Sequence, residues 1–161
     1  MYILHKFNNI HISYIVMHFE VATQVKQPYE QVWKGFNQTL FNQLAPPFPK
    51  LEVKQFEGCE TGDRVALSLD FLLFRQNWIS VVTEQQHLHG EIYFVDKGDK
   101  LPLGLTEWKH KHRLIRHGEH TVIVDDVTYT TGSSIMDLLL FPAMYGQFLY
   151  RKPIYKKVFA L

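Results

Sequence analysis

The sequence predicts a single α+β domain in which one curved antiparallel sheet wraps a long C-terminal helix around an apolar cavity. Three observations carry that prediction. The elements read in the order strand, two short helices, a run of antiparallel strands and a terminal helix. A strongly curved sheet must cover its concave face, and the last helix is the only long element left to do so. Finally, residues 105–114 read L-T-E-W-K-H-K-H-R-L, with Lys109, Lys111 and Arg113 on one parity of a strand. Three same-face cations belong in water, so Trp108, His110, His112 and Leu114 point inward.

The elements follow in chain order. Over 17–26, Phe19, Val21, Thr23 and Val25 alternate with Glu20, Ala22 and Gln24, the period of a half-buried strand. Pro28 suits the first turn of a helix, with Glu30 near the positive end of its dipole. Val32, Trp33 and Phe36 share one helical face. Leu40, Phe41 and Leu44 repeat the pattern after a break near Asn37, and Pro46, Pro47 and Pro49 close the second helix. Residues 51–56 and 64–83 are successive antiparallel strands, with Gly58 and Gly62 marking the turn between them. Another strand is expected over 87–95, then a Gly- and Pro-rich loop over 96–104. Residues 105–116 and 120–131 form the last hairpin, turning around Gly118. Ser134 and Asp137 resemble a capping box that opens an apolar tail. Pro142 and Pro153 are expected to interrupt that tail, leaving a short piece and then a longer helix over 143–152 with Tyr145, Phe148 and Leu149 inward.

With 161 residues the chain can bury one sizeable core. The N-terminal stretch has apolar runs interrupted by Asn8, Asn9 and His11 and makes a poor signal peptide. Met17 stands just before the first convincing strand, so residues 1–16 read as an extension and 17–161 as the domain. The formal charge is +1, with cations scattered among acids, which argues against a nucleic-acid surface. No run reaches the ~18 apolar residues of a membrane span. The single cysteine, Cys59, excludes an intramolecular disulfide and a cysteine-based zinc cluster, and a reducing cytoplasm is the expected location. Cys59 itself reads as an incidental loop thiol, and Asp70 and Arg75 as solvent-facing.

Two inward histidines need partners for their ring nitrogens. The returning strand offers Asp125, Asp126, Thr128 and Tyr129. One register pairs His110 with Asp126 and His112 with Val124. The register one residue on pairs His112 with Asp125 and Trp108 with Tyr129. The plainer reading makes both histidines hydrogen-bonded structural residues. The functional reading makes His110 or His112, with Asp126 as a candidate partner, a ligand-orienting donor or a general acid/base. A His-x-His metal site needs a third convergent ligand, which no spacing supplies, so no metal or cofactor is expected. Trp108, Tyr129, Phe71, Trp78, Tyr93 and Phe148 complete the expected ligand-binding set, the large rings serving equally as core.

The segments Phe94-Val-Asp96, Leu103-Gly104, Trp108-x-His110-x-His112, Asp126-Val127-x-Tyr129 and Phe148-Leu-Tyr150-Arg151 together resemble the bacterial START-like, polyketide-cyclase (SRPBCC) superfamily over 17–155. The resemblance implies a helix-grip fold, with about seven strands around the long helix and a hydrophobic ligand cavity. It also implies lipid-like, polyketide-like or aromatic ligands. Two departures stand out: the usual Gly-Pro before the tryptophan strand is Pro102-Leu-Gly104, and Pro142 interrupts the final helix. The leading expectation is a protein that binds a hydrophobic small molecule. The alternatives are a cyclase/dehydratase-type enzyme using a cavity histidine, and an interaction module with a collapsed, vestigial cavity.

Overall fold

The alternation over the first strand is realised as β1 (Met17–Val25), whose Phe19, Val21, Thr23 and Val25 are buried while Glu20, Ala22 and Gln24 face solvent. The computed structural model describes residues 16–160, so the expected extension lies outside the described residues but for Val16. Two short helices follow, α1 (Tyr29–Gly35) and α2 (Gln38–Gln43). The break between them is an N-cap: Asn37 is extended and its Oδ1 accepts from the Leu40 amide at 3.1 Å.

Six strands come next: β2 (Lys50–Phe56), β3 (Arg64–Asp70), β4 (Arg75–Leu88), β5 (Glu91–Lys100), β6 (Glu107–His117) and β7 (His120–Thr130). They join β1 in one antiparallel sheet of order β1-β7-β6-β5-β4-β3-β2. The expected loop over 96–104 is in fact strand to Lys100, and the preceding turn sits at His89-Gly90 rather than before His87. Gly90, at φ +84°, supplies the backbone conformation that such a tight turn demands. Gly98 permits the strand's continuation, because a Cβ there would meet the Leu101 side chain at 2.3 Å.

The tail is α3 (Ser134–Val158), a single helix rather than two pieces. Pro142 and Pro153 both lie on its exposed side, where a carbonyl left without its amide partner can be satisfied by water, so the helix runs through both. The capping box does not form. Ser133 is the N-cap and makes no side-chain bond, while the buried Asp137 carboxylate accepts from Thr130 Oγ1 at 2.8 Å and the Thr131 amide at 2.6 Å. Those two bonds tie the start of α3 to the end of β7. Phe148 is buried as expected, whereas Leu149 is 42% exposed.

Two buried apolar clusters hold the fold. One joins Val25, Val32, Leu40, Ile92, Leu114, Ile123 and Tyr155. The other joins Phe19, Val21, Trp108, Val127, Tyr129, Met144 and Phe148. On β5, β6 and β7 the inward positions between them are polar: Asp96, His110, His112 and Asp125.

Candidate functional site

The β6–β7 register settles the acid. Trp108 faces Tyr129, His110 faces Val127 and His112 faces Asp125, so Asp125 points inward and Asp126 outward. Asp126 instead meets His18 Nε2 at 2.9 Å on the convex face, which removes it from the histidine pair. The β5–β6 register adds a second acid from the stretch expected to be a loop: Asp96 stands opposite His110.

The resulting cluster is tight. His110 Nε2 donates to Asp125 Oδ1 at 2.9 Å, with 4% of the histidine side chain and 1% of the aspartate exposed. His110 Nδ1 lies 3.6 Å from Asp96 Oδ2. His112 Nε2 lies 3.2 Å from the same oxygen, and its Nδ1 lies 3.6 Å from Asp125 Oδ1. Each imidazole therefore spans the two carboxylates. The rings sit 3.6 Å apart, His112 stacked on Phe94 at 4.1 Å and His110 against the edge of Phe148 at 4.9 Å. Trp108 Nε1 donates to Asp96 Oδ1 at 3.1 Å. From α3, Arg151 lays its guanidinium 4.3 Å over Phe148 and brings Nη1 to 3.7 Å from Asp125.

Burial dominates the electrostatics here. Burial and the neighbouring His110 lower the His112 pKa to about 4. Burial works against ionisation of Asp96, but the His112 hydrogen bond, the His110 and His112 charges and Trp108 hold it below the usual carboxylate range. Asp125 is likewise held low against burial by His110, Arg151 and His112. Both acids are carboxylates, and both draw on the same two rings.

The cluster forms one wall of a cavity of about 280 Å³. The other walls are apolar, with Phe36, Leu40, Leu67, Leu69, Val82 and Met144 among them. Exposed lining residues Asn37, Phe48 and Ala143 place the opening among the start of α2, the α2–β2 connection and α3. Of the expected ligand-binding residues, Trp108, His110, His112, Phe71, Trp78 and Phe148 line this space. Tyr129 and Tyr93 do not. Tyr129 is fully buried beside the cavity wall and donates to the Asp137 carbonyl at 2.8 Å. Tyr93 falls on the opposite parity from Phe94, bonds Glu84 on the convex face and lies under Lys111.

Five polar lining residues lie outside the set expected from sequence: Asp96, Arg151, Gln147, Ser80 and Asn37. The alternation Ile92, Phe94, Asp96 carried the signal for the first, and the spacing of three from Phe148 carried it for Arg151. Cys59 also lines the cavity, but burial pushes its thiol up to about 12, so it is no ready nucleophile. Asp70 and Arg75 pair with each other at 2.9 Å, away from the cluster. Among the described residues no helix is long and apolar enough to cross a membrane.

Comparison with known proteins agrees at the level of architecture. No family model matches the chain, and no curated protein matches it. Among solved structures it is similar to norcoclaurine synthase of Thalictrum flavum, in a point mutant bound to a transition-state analogue. The TM-score is 0.66 at 15% identity, over 89% of this chain and 94% of that one. It is similar to the ZhuI aromatase/cyclase from Streptomyces sp. R1128, with TM-score 0.62 at 17% identity over 88% and 92% of the two chains. It is also similar to Ara h 8.0201, with TM-score 0.56 at 14% identity over 87% and 97%. With seven antiparallel strands gripping one long C-terminal helix, the chain has the helix-grip fold.

Proposed function

We propose that the protein binds a small, largely apolar molecule bearing one polar group, seated with that group against His112, Arg151 and Gln147. The observation that carries this reading is the contrast within one cavity: walls that are mostly apolar against one patch where Asp96, His110, His112 and Arg151 converge. Apolar walls supply affinity and a few placed polar groups fix orientation, the usual division of labour in ligand sites. At about 280 Å³ the cavity lies at the lower end of the ~300–1,000 Å³ range of such sites, which suits one or two rings better than a long acyl chain. The similar proteins support a ligand-holding use of the fold; the ligand class is the proposal's own.

Native mass spectrometry of the gently purified protein, followed by a thermal-shift panel of phenols, aromatic carboxylates and fatty acids, tests it. One- or two-ring compounds should raise the melting temperature, and Arg151→Met should abolish the rise. A panel with no stabilising compound, or one led by long-chain fatty acids, overturns the reading.

A second reading, an enzyme with a histidine as general acid/base, is favoured by the His110–Asp125 pair at 2.9 Å beside the cavity. Incubating each stabilising compound with wild type, His110→Ala and His112→Ala, with products read by mass spectrometry, separates the two. Conversion by wild type alone supports the enzyme; no conversion by any of them leaves binding.

A further inference from the structure

Each acid makes one hydrogen bond to the histidine pair and faces one further ring nitrogen that hydrogen bonding does not account for, His112 Nδ1 at Asp125 and His110 Nδ1 at Asp96, both at 3.6 Å. Toward Asp125, His110 makes an ordinary charge-assisted bond of 2.9 Å. Toward Asp96 the separations are 3.2 Å from His112 Nε2 and 3.6 Å from His110 Nδ1. The first is a hydrogen bond at the long end of the ~2.7–3.2 Å range and the second is outside it. One ligand atom from each of Asp96, His110 and His112 lies within 4.8 Å of the other two, and Asp96 Oδ2 faces a nitrogen of both rings. In a tetrahedral site with ligand bonds of ~2.0–2.1 Å the ligands stand about 3.4 Å apart. The observed 3.2 and 3.6 Å bracket that edge.

We propose that Asp96, His110 and His112 form a three-ligand site for a first-row divalent transition ion of the zinc type, with its fourth position open to the cavity. This inference stands independently of the ligand reading above. The surroundings are those a metal site needs. A metal-bound imidazole donates its other ring N–H to a carboxylate, which fixes the tautomer. Here Asp125 receives the His110 Nε2 proton at 2.9 Å, while the buried His112 Nδ1, 3.6 Å from the same oxygen, makes no hydrogen bond. Trp108 occupies Asp96 Oδ1 and leaves Oδ2 for the ion. Phe94 and Phe148 fix the ring planes. Two imidazoles and one carboxylate, with no thiolate in the set, favour zinc, iron or cobalt over calcium or magnesium. All three ligands also line the cavity, so an ion there would be reachable by whatever the cavity holds.

Charge completes the case. Asp96 and Asp125 contribute two negative charges and Arg151 one positive, so a divalent ion leaves the cluster at +1 with both imidazoles neutral. A hydroxide, phenolate or carboxylate at the open position would balance it.

The test uses the full chain without a polyhistidine tag, stripped with EDTA and titrated with Co²⁺. One equivalent should produce the strong visible absorption of a four- or five-coordinate ion, and Zn²⁺ should displace it. His112→Ala and Asp96→Asn should remove that absorption. Asp125→Asn should weaken binding by about 10–100-fold with the stoichiometry kept. The exposed group His18, Glu20 and Asp126 is the competing site, so His18→Ala should change nothing. Should the cluster variants fail to fold, proton NMR of the Co²⁺-loaded wild type decides: two exchangeable, strongly shifted imidazole N–H signals are expected. No absorption from folded wild type at millimolar Co²⁺, loss of absorption in His18→Ala, or its survival in both His112→Ala and Asp96→Asn overturns the proposal.

Discussion

The two halves of the sheet share a concave face but differ in what covers it. On β1, β5, β6 and β7 the inner side chains meet α1, α2 and α3, and both apolar clusters draw their buried strand residues from these four strands. None of those buried residues comes from β2, β3 or β4. There Leu67, Leu69 and Val82 are buried too, yet they face the cavity. The cause is where α3 lies: it packs chiefly on β1 and β7, so the far strands curl over space instead of over a helix. The difference teaches that the cavity is the uncovered half of an ordinary core, and that the polar cluster sits at the seam. Fixed side chains on one side of that seam hold the histidines, and open space on the other gives access to them.

The largest test of this contrast is Phe148→Ala. Phe148 touches the cavity but is 1% exposed and packs on Phe19 at 5.5 Å, on Trp108 at 6.3 Å and beneath Arg151, contacts that belong to the covered half. Its loss should cost about 3–5 kcal/mol, read from urea unfolding with unchanged m. A cost under ~1 kcal/mol would mean that α3 collapses onto the sheet and the covered half is not rigidly packed. Asp125→Asn comes next. The side chain keeps its volume, but His110 loses a charged acceptor in a site 1% exposed, for which about 2 kcal/mol is expected. Because the pair is buried, that cost should be almost the same at low and high salt, whereas an exposed pair would fade with screening. A strongly salt-dependent cost would place the cluster in contact with bulk water.

The covered half was the more legible in sequence, for a physical reason. Packing against a helix imposes a strict period of two, and on β6 the outward cations Lys109, Lys111 and Arg113 made the parity readable. The parity placed both histidines, but it could not choose between registers that differ by one residue. Asp125 rather than Asp126 was thus fixed only by the two-residue turn at Gly118, which pairs His117 with His120. Asp96 was missed because glycine at 98 and the nearby proline read as loop, while the strand continues through a glycine chosen for close approach to Leu101. Arg151 was missed because a cation in an amphipathic tail reads as surface; its burial follows from stacking on Phe148, a tertiary contact.

The uncovered half should answer mutation differently. Leu69→Ala enlarges a space that already exists, so the change should cost little beyond the transfer of the lost carbons, about 1–2 kcal/mol, against the larger loss at Phe148. It should also let bulkier compounds raise the melting temperature. A cost as large as that of Phe148→Ala would mean that Leu69 is packed like the covered half.

The smallest effect, and the one of opposite sign, belongs to the β3–β4 tip. Leu72 and Leu73 are 84% and 94% exposed there. Leu72 adopts φ +74°, a left-handed conformation that costs a leucine about 1 kcal/mol and suits asparagine better. The tip holds its shape without the leucine side chain, because Asp70 accepts from the Leu72 amide at 2.8 Å and from Arg75 Nε at 2.9 Å, while the Phe71 amide bonds the Phe74 carbonyl at 2.9 Å. Leu72→Asn keeps all three bonds, removes no packing and relieves the strain, so stability should rise by about 0.5–1 kcal/mol. The same unfolding measurement reads it. If the variant loses stability instead, Leu72 is packed against something in solution, and the uncovered half is not as bare as its inner face implies.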